Sequence, residues 1–148
     1  MRIEESQELQ TSPVRVLIVD DFELWQTFVH DQLDREPNLR VIAVVGDGLE
    51  AVQKAKELQP DLIVLDIGLP KLNGIEAARR IRKAAPQSKI LFLSANADPE
   101  VVKAAFSAGA LGYIHKSNAA QSLLPGMEAV LLGKRFVACN LEGFEDLT

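Results

Sequence analysis

A doubly wound α/β sandwich, with a five-stranded parallel sheet and helices on both faces, is the fold this sequence predicts, and three observations carry it. Short β-branched or leucine-rich runs recur at residues 14–19, 41–45, 62–65, 90–93 and 112–115. These runs are apolar throughout rather than alternating, which marks strands buried on both faces, as in a parallel sheet. Between them lie stretches with helical period: Trp25, Phe28, Val29 and Leu33 fall on one face, and Val102, Ala105, Phe106 and Gly109 repeat the spacing. Strand followed by helix, five times over, builds a sheet covered on both sides.

Turn and cap residues punctuate the elements in order. Residues 1–13 are polar and aperiodic and read as a flexible lead-in. Gly46-Asp47-Gly48 opens the second helix, and Pro60-Asp61 separates it from the third strand. Asn73-Gly74 precedes the third helix, and Ala85-Pro86 follows it. Asp98-Pro99 supplies an N-cap and a first-turn proline to the fourth helix. Pro125-Gly126 falls inside the fifth helix, where proline removes a hydrogen bond and glycine costs about 1 kcal/mol against alanine. A kink or a late start is expected there.

The same helix is rich in leucine. Leu123, Met127, Val130 and Leu131 are expected to face the sheet, leaving Leu124 or Leu132 near the surface, either as the seed of a weak homodimer or covered in a monomer by the segment after Gly133. One domain is expected over residues 14–135, with 136–148 a tail or the start of a linker.

The 148 residues, 47% hydrophobic and 25% charged, suit one globular domain with a real core. A net charge of -5 argues against a nucleic-acid-binding face. Cys139 is the one cysteine, so no internal disulfide can form, and a reducing cytoplasm is the expected compartment. The acidic start Met1–Glu5 is unlike a signal peptide, and no apolar run approaches the roughly 20 residues that span a bilayer.

In an open parallel sheet the carboxyl ends of the strands form the reactive edge. Asp20-Asp21 stands at the end of the first strand, Asp66 the third, Ser94 the fourth and Lys116 the fifth. Three carboxylates, a hydroxyl and an ammonium would meet in one shallow cleft. Carboxylates so crowded repel, and a hard divalent cation with oxygen ligands, Mg2+, relieves them. Lysine offers a point charge to a phosphate oxygen, and phosphoryl transfer needs mainly positioning and charge neutralisation. Asp66 would be the nucleophile, carrying the group as an acyl phosphate.

These residues carry a family resemblance. Val16-Leu17-Ile18-Val19-Asp20-Asp21 resembles the opening motif of bacterial response-regulator receiver domains, and the stretch from Pro60 through Asp66 to Gly74 resembles their phosphoacceptor strand and loop. Leu93-Ser94-Ala95 and the run Ala108 to Lys116, with its aromatic and lysine three apart, complete the match over roughly residues 14–135. The wording is similar to NarL/LuxR-type regulators, whose receivers usually precede a helix-turn-helix domain.

The resemblance implies a flavodoxin-like receiver fold in which Asp66 is phosphorylated. It implies that Asp21, Asp66 and the backbone carbonyl of Gly68 bind Mg2+, and that Asp20 orients the metal's waters. Ser94 and Lys116 would grip the phosphoryl group. Tyr113 would be the switch aromatic, turning inward as Ser94 moves. The partner would be a sensor histidine kinase or phosphotransfer protein, and DNA would be touched only through an output domain outside these residues. Gly68 departs from relatives that carry a side chain two residues after the acceptor. Asn96, two beyond Ser94, is the other variable position.

Taken singly, each residue has a plainer reading. Asp66 alone reads as a turn residue, Asp20-Asp21 as a helix cap, Ser94 as a turn hydroxyl and Lys116 as a solvated charge. Tyr113 alone reads as a half-buried strand aromatic. Their joint placement at successive strand ends favours the site. His30 and His115 lack metal-ligand company and read as surface or packing residues, Cys139 as an inert thiol, and Trp25 as core or helix surface. Arg79, Arg80, Arg82 and Lys83 complement the third helix's dipole. A haloacid-dehalogenase-type phosphatase would also use a strand-end aspartate, but it wants an acid two residues on, where Gly68 stands. A receiver fold that only docks partners is the third alternative, and the complete set of site residues argues against it.

Overall fold

The computed structural model describes residues 12–139, so the lead-in before Ser12 and the tail beyond Cys139 lie outside the described residues. The chain runs β1 (Val14–Val19), α1 (Glu23–Asp34), β2 (Leu39–Val45), α2 (Gly48–Leu58), β3 (Leu62–Leu65), α3 (Gly74–Ala84) and β4 (Lys89–Ser94). It continues through α4 (Pro99–Ser107), β5 (Gly112–His115), a 3-10 turn (Lys116–Asn118), α5 (Ala119–Leu131) and β6 (Phe136–Ala138).

All pairings are parallel, in the order β2-β1-β3-β4-β5-β6. Alternation along each strand splits the core in two. Leu17, Val19, Ile63, Leu65, Phe92 and Tyr113 face Ala51, Ala77, Ile81 and Val102 of α2, α3 and α4. Val16, Ile18, Val64, Leu91, Leu93 and Ile114 face Val29 and Leu33 of α1 and Leu123, Met127 and Val130 of α5. This is the doubly wound arrangement expected from the apolar runs.

The sheet has six strands rather than five. Phe136 N–H donates to Leu111 O at 3.0 Å, and Phe136–Ala138 extends the sheet on the free edge of β5, beyond residue 135. Three residues are too few to show a period of their own. Gly126 makes room for this strand, since a Cβ there would meet the Phe136 ring and Ile114 Cδ1 at 2.8–3.0 Å. β2 also differs from the expectation of strands buried on both faces: it lies at the other edge, and most of its residues are only partly covered.

The caps form as the sequence implies. Asp47, Asn73 and Asp98 accept backbone N–H bonds from Glu50, Glu76 and Glu100 at 2.7, 3.0 and 2.9 Å. Of the α3 cations Arg82 and Lys83 lie in the last turn, whereas Arg79 and Arg80, in mid-helix, pair with Glu76 of the first turn. α5 neither starts late nor breaks at Pro125, which sits on its exposed face. Proline cannot bond the carbonyl four residues back, but Gln121 is exposed, so water can satisfy it. Leu123, Met127 and Val130 are buried as expected, Leu124 and Leu131 are half-buried, and Leu132 is 68% exposed.

β2 and β3 leave β1 on opposite sides, so strand order reverses between β1 and β3. In such sheets the crevice outside the carboxyl ends at this switch point is where ligands bind. Asp20 and Asp66 follow those two strands.

Candidate functional site

Register alone brings the acids together. Val19 pairs with Leu65, and Asp66 N–H donates to Val19 O at 3.0 Å, which sets Asp20 beside Asp66. Farther along the sheet, Ser94 pairs with His115, which brings Lys116 to the same edge.

The loop after β3 is fixed from below. Gly74 N–H donates to Ile67 O at 2.7 Å, and a Cβ on Gly74 would collide with the Asp66 carbonyl oxygen. Only glycine lets the start of α3 pack this closely under Asp66. Ile67 N–H donates to Asp66 Oδ1 at 2.7 Å and holds the plane of the carboxylate, while Oδ2 points to the cleft partners.

Lys116 is the hub. Its Nζ lies 2.9 Å from Asp20 Oδ2 and 3.1 Å from Asp66 Oδ2, with all three side chains at most 10% exposed. Asp20 Oδ1 accepts from Phe22 N–H at 2.9 Å, and its carbonyl accepts from Gln26 Nε2 at 2.6 Å. Burial nevertheless raises the Asp20 carboxyl above the usual range, outweighing the lowering by Lys116 and by Phe22 N–H. Asp21 is exposed at the cleft mouth, and carboxylate oxygens of Asp20, Asp21 and Asp66 lie within 4.8 Å of one another.

The β4–α4 loop ties two further residues together. Ser94, 2% exposed, accepts from Asn96 N–H at 3.1 Å, and Tyr113 Oη donates to Asn96 O at 2.6 Å. Tyr113 is buried and lies beside Phe92, so it occupies the inward position that the sequence reading assigned to it only after Ser94 had moved. Burial pushes its phenol up to about 12. Gly68 is exposed with nothing within 4 Å of where a Cβ would stand, so the cleft is open on that side.

Two contributions were not legible residue by residue. His115, read as a surface or packing residue, bonds Ala95 O through Nε2 at 3.1 Å and accepts from Ser117 N–H at Nδ1, linking the loops that carry Ser94 and Lys116. Trp25, read as core or helix surface, places its ring centroid 4.9 Å from Lys116 Nζ. Cys139 is half-buried with its thiol pushed up to about 11 by burial, which suits an inert group.

Comparison with known proteins places this cleft in a family. The family model for the response regulator receiver domain matches residues 16–127. The chain belongs to the response-regulator receiver family. It is a receiver domain of two-component response regulators, and its structural likenesses include LuxR- and NarL-type members.

The chain is 32% identical over 132 residues to the transcriptional regulatory protein DegU of Brevibacillus brevis, covering 89% of this chain and 56% of that protein. It is 40% identical over 111 residues to a protein-glutamate methylesterase/protein-glutamine glutaminase of Thermotoga maritima, covering 74% of this chain and 32% of that one. It therefore spans about half, or less, of the length of these relatives. Among solved structures, a LuxR-family response regulator from Aurantimonas superposes with a TM-score of 0.80 at 34% identity, covering 84% of this chain and 89% of the other. The response regulator domain of Thermotoga maritima CheB gives 0.75 at 33%, covering 81% and 97%. Among the described residues no helix is long and apolar enough to cross a membrane.

Proposed function

We propose that this receiver takes a phosphoryl group onto Asp66 in a Mg2+-dependent reaction and relays its presence through Ser94 and Tyr113. The observation that carries this reading is the Lys116 ammonium shared between the Oδ2 atoms of Asp20 and Asp66, with Asp21 at the open side. With Oδ1 held by Ile67 N–H, Oδ2 of Asp66, which faces the cleft and meets Lys116 there, is the attacking atom. It bonds to phosphorus as the donor's leaving group departs, and the product is a mixed anhydride. Lys116 then exchanges a carboxylate oxygen for a phosphoryl oxygen, and the Ser94 hydroxyl donates to another.

The donor set fits a hard cation: Asp21, Asp66 and the Gly68 carbonyl would hold Mg2+, with Asp20 acting through its waters. When bound, the ion neutralises charge on the transferring phosphoryl oxygens. Nothing in this chemistry turns over a second substrate, so the chain acts as an acceptor and not as an enzyme. Its donor is a sensor histidine kinase or phosphotransfer protein, and its compartment is the cytoplasm.

The DegU-like and LuxR-type relatives support a place at the start of a DNA-binding transcriptional regulator, with a single-domain regulator as the alternative. The methylesterase relatives show that receivers of this sequence type also accompany other outputs. The half-buried Leu124 on α5 and the exposed Leu132 just beyond its end support a weak homodimer, which sedimentation with and without beryllofluoride checks. Mixing the protein with acetyl phosphate and Mg2+ should add one phosphoryl group. Asp66→Asn should abolish the labelling, and a variant labelled at the wild-type rate would overturn the assignment.

A further inference from the structure

We propose that Trp25 is a positioning residue for Lys116, its indole face holding the ammonium in the cleft where it meets the phosphoryl group; this rests on the phosphoacceptor reading above. The Trp25 ring centroid is 4.9 Å from Lys116 Nζ, within the range where the electron-rich face attracts a cation. The contact is well shielded, because the lysine side chain is 10% exposed and its other partners are the buried carboxylates of Asp20 and Asp66.

The ring is itself held. It meets Phe28 edge-on, with centroids 5.4 Å apart, and packs against the core layer beneath α1. The first turn of α1 is bonded back to the site: Trp25 and Gln26 N–H both donate to Phe22 O at 3.0 Å, and Gln26 Nε2 donates to Asp20 O at 2.6 Å. The turn that carries the aromatic wall is thus tied directly to Asp20.

A lysine needs such a wall. Its four-carbon stem is flexible and its ammonium is strongly hydrated, so an unsupported Lys116 would lose rotamer freedom each time it gripped a phosphoryl oxygen. When the phosphoryl group forms, Lys116 must leave Asp66 Oδ2. The attraction of the indole face keeps the ammonium in the cleft, so it shifts there from Asp66 Oδ2 to the phosphoryl oxygen. Leucine at position 25 would fill volume without attracting charge, whereas phenylalanine keeps a weaker face.

Trp25→Leu should slow Mg2+-dependent labelling by acetyl phosphate about tenfold at saturating donor, with the donor KM little changed, and Trp25→Phe should restore most of the rate. Because Trp25 is the one tryptophan, its emission reads the contact directly. Lys116→Met should shift that emission in unphosphorylated protein. If wild type labels normally and Trp25→Leu matches it, or if the Leu and Phe variants slow equally, the positioning role is overturned while the Asp66 reading stands. If wild type never labels, the Asp66 reading fails and this proposal with it. Unchanged emission in Lys116→Met overturns the contact itself, whatever the labelling shows.

Discussion

Asp20 is the most buried acid of the cleft, 3% exposed, and Asp20→Asn tests whether its charge is held against the interests of the fold. Burial raises its carboxyl pKa even though Lys116 Nζ lies 2.9 Å away and Phe22 N–H donates to it. The ionised group is therefore worse off in the folded protein than in water. Asparagine keeps an acceptor for Phe22 N–H, and Lys116 keeps Asp66. Removing a desolvated charge of this kind should stabilise the protein by about 1 kcal/mol in metal-free buffer at neutral pH. For a domain of this size that raises Tm by about 3 °C.

The pH dependence has a definite sign. A raised carboxyl means the folded state binds the proton more tightly than the unfolded chain, so the wild-type contribution is fully present below the ordinary carboxyl value of 3.8. It is lost as pH rises through the folded pKa. The advantage of Asp20→Asn should thus be absent at low pH, grow as pH rises past the carboxylate range, and then level off. Melts followed by circular dichroism in EDTA from acid to neutral pH measure it. A variant less stable than wild type at neutral pH, or an advantage greatest in acid, would refute the reasoning.

Lys116→Met removes the ammonium between Asp20 and Asp66 and should cost about 3 kcal/mol in urea denaturation without metal, with millimolar Mg2+ returning part of it; an unchanged midpoint counts against the hub. Gly74→Ala drives a methyl into the Asp66 carbonyl and should cost about 2 kcal/mol while also slowing labelling. A variant with normal stability and normal labelling would show that the loop can give way. The Tyr113 phenol should stay protonated until about pH 12 in an ultraviolet titration, and ionisation near the ordinary value of 10.0 would show that the ring does not sit inward in solution.

Much of this was legible in the sequence because parallel strands carry their burial in their composition. Runs such as Leu62–Leu65 are apolar on both faces, and the polar residue that ends each run must then lie at the sheet's edge. Register makes those edge residues neighbours, which is why Asp20, Asp66, Ser94 and Lys116 could be grouped without coordinates. What escaped depended on pairings with no periodic trace. β6 is three residues long, and the exposure of β2 follows from its edge position rather than from its letters. The roles of Trp25 and His115 arise from side chains crossing between elements far apart in the chain. The inward Tyr113 reflects a bond to the Asn96 carbonyl, which a backbone atom of any residue could have supplied.

The central claim is that Asp66 carries the phosphoryl group, and chemical trapping tests it most directly. Borohydride reduces an aspartyl phosphate to homoserine, so protein treated with acetyl phosphate and Mg2+, then reduced and digested, should show homoserine at position 66 and nowhere else. Homoserine at Asp20 or Asp21 in place of Asp66, or none at any position in protein that has gained a phosphoryl group, would contradict the account.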